Sequence, residues 1–225
     1  MLAFFRAELK TGIMKTIKNL NGFYYVETLP DKYKEGEKLP VVVHYHGHGW
    51  AQKESVDFCE NYTVLRDMQK YANEKSFVII MPLCYEDSWF DCFSELKNFT
   101  RGVLKMPFAD TSRIYLSGIS MGGCVAWQML CTLNDIFAAG VICCGIPMYW
   151  DVRRRLKAPV WAFHGLDDEV IYAEETKKIS GILMAKGKII KTTFYEGVAH
   201  RCWDFAYVTD ELYDWLLSYK KEEVK

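Results

Sequence analysis

Short apolar runs rich in β-branched residues alternate along this chain with longer stretches of helical periodicity. The runs are PVVVHYH (40–46), FVIIMP (77–82), RIYLSG (113–118), FAAGVICCG (137–145), PVWAFHG (159–165) and KIIKTTFYEG (188–197). Between them, 60–74, 93–106, 121–133, 173–186 and 203–220 repeat their apolar residues as helices do. A strand that is apolar on both faces has to be covered on both, and the intervening stretches are long enough to be crossover helices between parallel neighbours. The architecture expected is α/β: a mostly parallel central sheet flanked by helices on both faces. GFYYVETLP (22–30) is expected to start this sheet as an antiparallel edge strand. No repeat or low-complexity linker divides the 225 residues, so one domain over 1–225 is expected, with 1–13 read as a dispensable extension because Met14 would itself make a start.

Several function classes lose support at once. The formal net charge is −1, and the only basic run is Arg153–Arg155, read as a solvated face, so nucleic-acid binding has no electrostatic basis. No segment approaches the roughly 20 apolar residues of a membrane span. MLAFFRAELK is interrupted by Arg6 and Glu8, unlike a signal peptide, and a cytoplasmic protein is expected. The eight cysteines include no CxxC pair, and Cys124, Cys131, Cys143 and Cys144 sit in apolar runs, as free buried thiols do.

PVVVHYHGHGW (40–50) admits two chemistries. Its histidines, His44, His46 and His48, occupy alternate positions, and in a strand alternate side chains share a face, so three imidazoles could converge on a metal. The same residues also read as a buried strand running into a Gly-rich loop whose N–H groups bind an oxyanion. A zinc site would also want a further ligand or activating carboxylate, and no HxHxDH or HExxH occurs.

Further along, RIYLSG runs into GISMGG (118–123) and at once into a helical stretch. That is G-x-S-x-G between strand and helix, the setting of a nucleophile elbow. Ser120 is expected in a strained backbone conformation, with Gly118 and Gly122 required because a side chain at either would crowd the turn. The helix starting at Met121 turns its N-terminus toward the serine and favours negative charge there. A serine hydroxyl is a poor nucleophile unless a base takes its proton. HGLDDEV puts Asp167 and Asp168 at the end of the next-but-one strand, and YEGVAH puts His200 after the last. The order Ser, Asp, His is that of one arrangement of the catalytic triad, although spacing does not separate Asp167 from Asp168.

These motifs resemble the α/β-hydrolase superfamily, and within it small bacterial esterases such as feruloyl and acetylxylan esterases and the prolyl-oligopeptidase-like group. The likeness runs over about 38–220, through HGHG, MPLCYEDSW, DTSRIYLSGISMGGCVAW, HGLDDEV and GVAHRCWDFAYVTDELYDWL. It implies a hydrolase fold without a large cap domain and a triad of Ser120, His200 and Asp168, the last in the acid position of H-G-x-x-D-x-V. It also implies an oxyanion hole from the N–H groups of His48 and Met121, and no cofactor or metal. His46 becomes a structural residue bonding nearby backbone, and His44 a satisfied core histidine. A bulky residue at Gly47 or Gly49 is expected to force the oxyanion loop out of place. The usual cap position, Gly145–Pro159, has only about fifteen residues, so an open cleft is expected. Trp50, Trp89, Trp150 and Trp203 lie in or beside loops at the catalytic edge and are read as substrate-binding walls, while Trp127, Trp161 and Trp215 are read as core. The expected activity is hydrolysis of small or carbohydrate-linked esters, acetyl or feruloyl, through an acyl-enzyme. The alternatives are a serine peptidase and a non-catalytic binding protein on the same scaffold.

Overall fold

The computed structural model describes residues 6–8, 14–53 and 61–221. Apart from 6–8, the expected extension 1–13 lies outside the described residues, as does position 60 of the expected first helix. Nine strands are seen: β1 (Arg6–Glu8), β2 (Met14–Leu20), β3 (Phe23–Thr28), β4 (Leu39–Tyr45), β5 (Val78–Pro82), β6 (Ala109–Ile119), β7 (Ala139–Cys143), β8 (Val160–Gly165) and β9 (Ile190–Tyr195). They form one sheet in the order β1-β2-β3-β5-β4-β6-β7-β8-β9. From β5 to β9 every neighbouring pair is parallel, and β1 to β3 extend the sheet antiparallel.

All residues of β4, β5, β7 and β8 are buried, which is why these runs carry no polar alternation. On β4, Val41, Val43 and Tyr45 join one core and Val42 the other. The first core is closed by α2 (Phe93–Val103), α3 (Met121–Thr132), α4 (Tyr149–Arg155) and α5 (Ala173–Ala185). The second is closed by α1 (Thr63–Lys75), α6 (Trp203–Ala206) and α7 (Asp210–Leu217). None of these helices is long and apolar enough to cross a membrane. The seven described cysteines are unpaired, and all but Cys124 are buried.

Two expectations need correction. β3 is antiparallel but is not the edge, because β2 and β1 lie outside it. The turn joining β2 to β3 is Asn21-Gly22 with φ of 54° and 88°, and an Asn-Gly pair with both φ positive matches the right-handed twist of a hairpin. The stretch 203–220 is two helices, separated around Val208, rather than one. The short cap position Gly145–Pro159 carries the helix α4, on which Arg153–Arg155 are exposed to solvent, as expected of a solvated face.

Candidate active site

β6 runs straight into α3, and Ser120 is the single residue between them. Its φ of 52° and ψ of −121° lie in a region that side chains other than glycine seldom adopt. Two backbone bonds hold it there: Ser120 N–H donates to the Cys143 carbonyl at 3.0 Å, and Cys124 N–H donates to the Ser120 carbonyl at 2.9 Å. A Cβ at Gly118 would stand 2.3 Å from the Gly122 carbonyl oxygen, and one at Gly122 would stand 2.1 Å from that of Tyr45. Both glycines are therefore required by backbone packed on backbone.

The carboxyl ends of β8 and β9 bring two more side chains to Ser120. His200 Nε2 lies 2.8 Å from Ser120 Oγ, and His200 Nδ1 lies 2.8 Å from Asp168 Oδ2. The buried carboxylate accepts a hydrogen bond from Nδ1–H, which leaves Nε2 free to accept from the serine hydroxyl. Asp168 Oδ1 accepts from the N–H groups of Val170 and Ile171, each at 2.9 Å. Burial alone would push this carboxyl up; the bonds from His200, Ile171 and Val170 outweigh it and hold Asp168 below the usual carboxylate range. Asp167 faces solvent, and its N–H donates to the Val198 carbonyl at 3.0 Å, so it shapes the loop and does not meet His200.

The three imidazoles of the 44–48 stretch go separate ways. His44 is buried between Ser117 Oγ at 3.0 Å and the Tyr62 hydroxyl at 2.7 Å. His46 is buried with Nδ1–H donating to the Gly47 carbonyl at 2.8 Å and Nε2 accepting from Cys84 N–H at 3.0 Å. Desolvation by burial lowers each of these two rings to about 3. His48 is exposed and opens a one-turn 3-10 helix, His48–Trp50. Among the described residues, the set of donor atoms within 4.8 Å of one another is Cys144, Asp168 and His200, and there Asp168 and His200 already bond each other.

His48 and Met121 are each the first residue of a helical turn, so their N–H groups have no acceptor within that turn. They lie on the two segments that Gly122 brings together. A Cβ at Gly47 would lie in ordinary contact, 3.5 Å from Ser120 Cβ and 3.7 Å from Ile119, and one at Gly49 would meet nothing within 4 Å. The tight approach is on the elbow side, at Gly122.

A cleft of about 430 Å³ opens over Ser120 and His200, with Trp50, Tyr62, Val170 and Trp203 among its walls. Trp203 stands edge-on to the His200 ring, centroids 5.3 Å apart at 83°. Two expected walls are elsewhere. Trp89 is wholly buried, packed on Tyr45 and His46 with its Nε1–H donating to the His46 carbonyl at 2.9 Å, so it anchors the loop after β5 instead of lining the cleft. Trp150, 60% exposed on α4, does not line it either. Tyr62, which does, carries no signature in the sequence: its ring is placed by the bond to His44 and by an edge contact with Trp50 at 5.4 Å.

Comparison with known proteins finds that the model of the dienelactone hydrolase family matches residues 25–222. A 68-residue segment, 30% of this chain, is 29% identical to the bifunctional acetylxylan esterase/xylanase XynS20E of Neocallimastix patriciarum, of whose length it spans 10%. Among solved structures, a thermostable esterase superposes with a TM-score of 0.77 at 22% identity, over 93% of this chain and 63% of the other. Est1E from Butyrivibrio proteoclasticus superposes with a TM-score of 0.70 at 16% identity, over 91% of this chain and 98% of that one. Likeness at such identities speaks for the fold.

Proposed function

The chain belongs to the dienelactone hydrolase family of α/β-hydrolases, and from that membership we propose that it is a serine carboxylic-ester hydrolase acting through Ser120, His200 and Asp168. The observation that carries the proposal is the unbroken chain from Asp168 Oδ2 through the His200 ring to Ser120 Oγ, both links at 2.8 Å. Ser120 Oγ attacks the ester carbonyl while its proton passes to His200 Nε2. Asp168, kept ionised by its three hydrogen bonds, holds the ring and stabilises the imidazolium. The tetrahedral oxyanion is taken by the N–H groups of His48 and Met121, each such donor contributing ~3 kcal/mol in the transition state. His200 then gives its proton to the departing alkoxide, and a water activated by the same nitrogen hydrolyses the acyl-enzyme.

For substrate we propose small or carbohydrate-linked acetyl or feruloyl esters. Trp50 and Trp203 offer flat apolar faces to a sugar or an aromatic acyl group, and the acetylxylan esterase relative points the same way. Buried unpaired cysteines suit a reducing compartment, and we assign the protein to the cytoplasm.

Labelling with a fluorophosphonate probe, together with turnover of nitrophenyl acetate, acetylated xylan and methyl ferulate, tests the proposal. Ser120 is expected to take the label, and Ser120→Ala to lose it and about 10⁴–10⁶ in kcat with the fold intact. Wild-type turnover in that variant overturns the proposal. A wild-type chain that neither takes the label nor turns over any ester would instead be a binding protein.

A further inference from the structure

Asp168 is faced by a second histidine. His164 is the penultimate residue of β8, and its ring is fully buried beneath the acid loop. Its Nε2 lies 2.8 Å from the Ile171 carbonyl and 3.2 Å from Asp168 Oδ2. Both neighbours are acceptors, so Nε2 carries a proton, and Nδ1 accepts from the Thr176 hydroxyl at 2.7 Å on α5. The oxygen that His164 faces, Oδ2, is the one that receives His200 Nδ1–H. The residue whose carbonyl it holds, Ile171, is the one whose N–H binds Oδ1.

We infer that His164 is a positioning residue of the catalytic acid. Its N–H closes the loop Asp168–Ile171 around the carboxylate and turns a positive edge toward Oδ2. The inference rests on the triad reading above. Two consequences follow from the geometry. Both carboxylate oxygens are held, Oδ1 by the N–H groups of Val170 and Ile171 and Oδ2 between the two histidines. Part of the charge on Oδ2 is also met by His164, so that the full charge does not fall on His200. The other titratable groups around this cluster are Cys143 and Cys144 at the end of β7, Cys202 two residues beyond His200, Tyr195 on β9 and Glu174 in the first turn of α5. The exposed Asp167 and Glu169 flank Asp168, and outside them Arg201 is paired with Asp204. The hydrogen bonds described for Asp168 come from His200, Val170 and Ile171, so His164 is the side chain that reaches the acid from beneath.

The test uses the full chain, nitrophenyl acetate and two substitutions. His164→Phe keeps a flat ring and removes both nitrogens; His164→Gln restores an amide N–H. In H164F the acid limb of the kcat/KM profile is expected to move up by about half a pH unit or more, because the unshared charge of Oδ2 then favours the protonated catalytic base. At the pH optimum kcat is expected to fall about tenfold with KM within twofold, since the displaced group touches no substrate. H164Q should bring the limb back toward its wild-type position. A general loosening of the fold would lower kcat at every pH and leave the limb in place, so a folded H164F with an unmoved limb overturns the inference. Should H164F fail to fold, Thr176→Val frees the ring by removing its Nδ1 partner, and an unmoved limb there overturns it equally. The Nδ1 proton resonance of His200, read by NMR without substrate, separates this inference from the esterase reading. A resonance altered in H164F supports the positioning role even if no ester is turned over, and an unaltered one overturns it whatever the activity.

Discussion

Asp167 and Asp168 are chemically identical neighbours, and the fold gives them opposite surroundings. Asp168 is buried, hydrogen-bonded from three directions and kept ionised; Asp167 is in water. Asp168→Asn is therefore expected to lower kcat by about 10³–10⁴, because an amide that donates to Nδ1 leaves the His200 ring in the wrong tautomer. Asp167→Asn is expected to stay within about twofold, since its role in the loop is through its backbone N–H, which asparagine keeps. Steady-state kinetics on nitrophenyl acetate reads both, and the reverse ranking would move the acid by one position. Spacing could not have separated the pair, because a loop of unknown conformation presents either side chain. The family resemblance favoured Asp168, and the bonds from His200 Nδ1 and from Val170 and Ile171 N–H show it turned inward.

The strand-elbow-helix unit, β6 to α3, was legible in advance because its requirements are local. Serine between two glycines, at the junction of an apolar strand and a helix, is forced into positive φ by the tightness of the turn itself. The Gly-rich loop beside it depends on contacts between segments, and there the tightest backbone approach is at Gly122 and not at Gly47 or Gly49. A valine at Gly122 would drive its Cβ into the Tyr45 carbonyl, backbone against backbone, whereas one at Gly49 enters open space. Gly122→Val is expected to destabilise the protein by about 1–3 kcal/mol or more and to lose nearly all turnover, and Gly49→Val to keep turnover within about threefold. Thermal unfolding and kcat, measured on both variants, decide this. His48→Ala belongs with the second, because every residue but proline keeps the N–H that the loop would offer; loss of turnover in His48→Ala would assign a role to the ring itself. Other elements were misread for different reasons. Asn21-Gly22 is a local hairpin signal from which β2 could have been read, and it was passed over. The stop around Val208 carries neither proline nor glycine to announce it.

His44 and His46 link the site to the stability of the whole protein. Each is buried and lowered to about 3 by desolvation, against 6.5 in an unfolded chain. Between those values the unfolded chain binds protons that the folded one does not, so stability falls as pH drops from about 6.5 toward 3, by up to ~1.4 kcal/mol per pH unit for each histidine. Above about pH 8 the unfolded imidazoles are neutral too, and neither contributes an appreciable slope. Asp168, depressed below its ordinary value, adds stability above the carboxylate range that is lost as pH falls through its folded value. Urea midpoints at pH 7.5, 6 and 5 are expected to decline steadily for the wild type. His44→Gln is expected to be less stable throughout yet to decline less steeply, by about one proton's share; an unchanged slope would mean that His44 takes up its proton within the fold.

The alternation of apolar runs and amphipathic stretches was enough to establish a mostly parallel sheet covered on both faces, and the order of Ser120, the Asp167–Asp168 pair and His200 was enough to place the candidate groups at its carboxyl edge. Such signals survive in a bare sequence because strand and helix periodicity, and the sterics of a tight turn, act between residues a few positions apart. The remaining features depended on segments far apart in the chain. Trp89 went into the core and Trp50 to the cleft although both sit in loops at the same edge, because one indole found the His46 carbonyl and the other the ring of Tyr62. Tyr62 became a wall because its hydroxyl reaches His44, and His164 came under Asp168 because the acid loop folds back over the end of its own strand. Whether a buried polar group finds a partner is settled by which segments pack together, and no local periodicity encodes that.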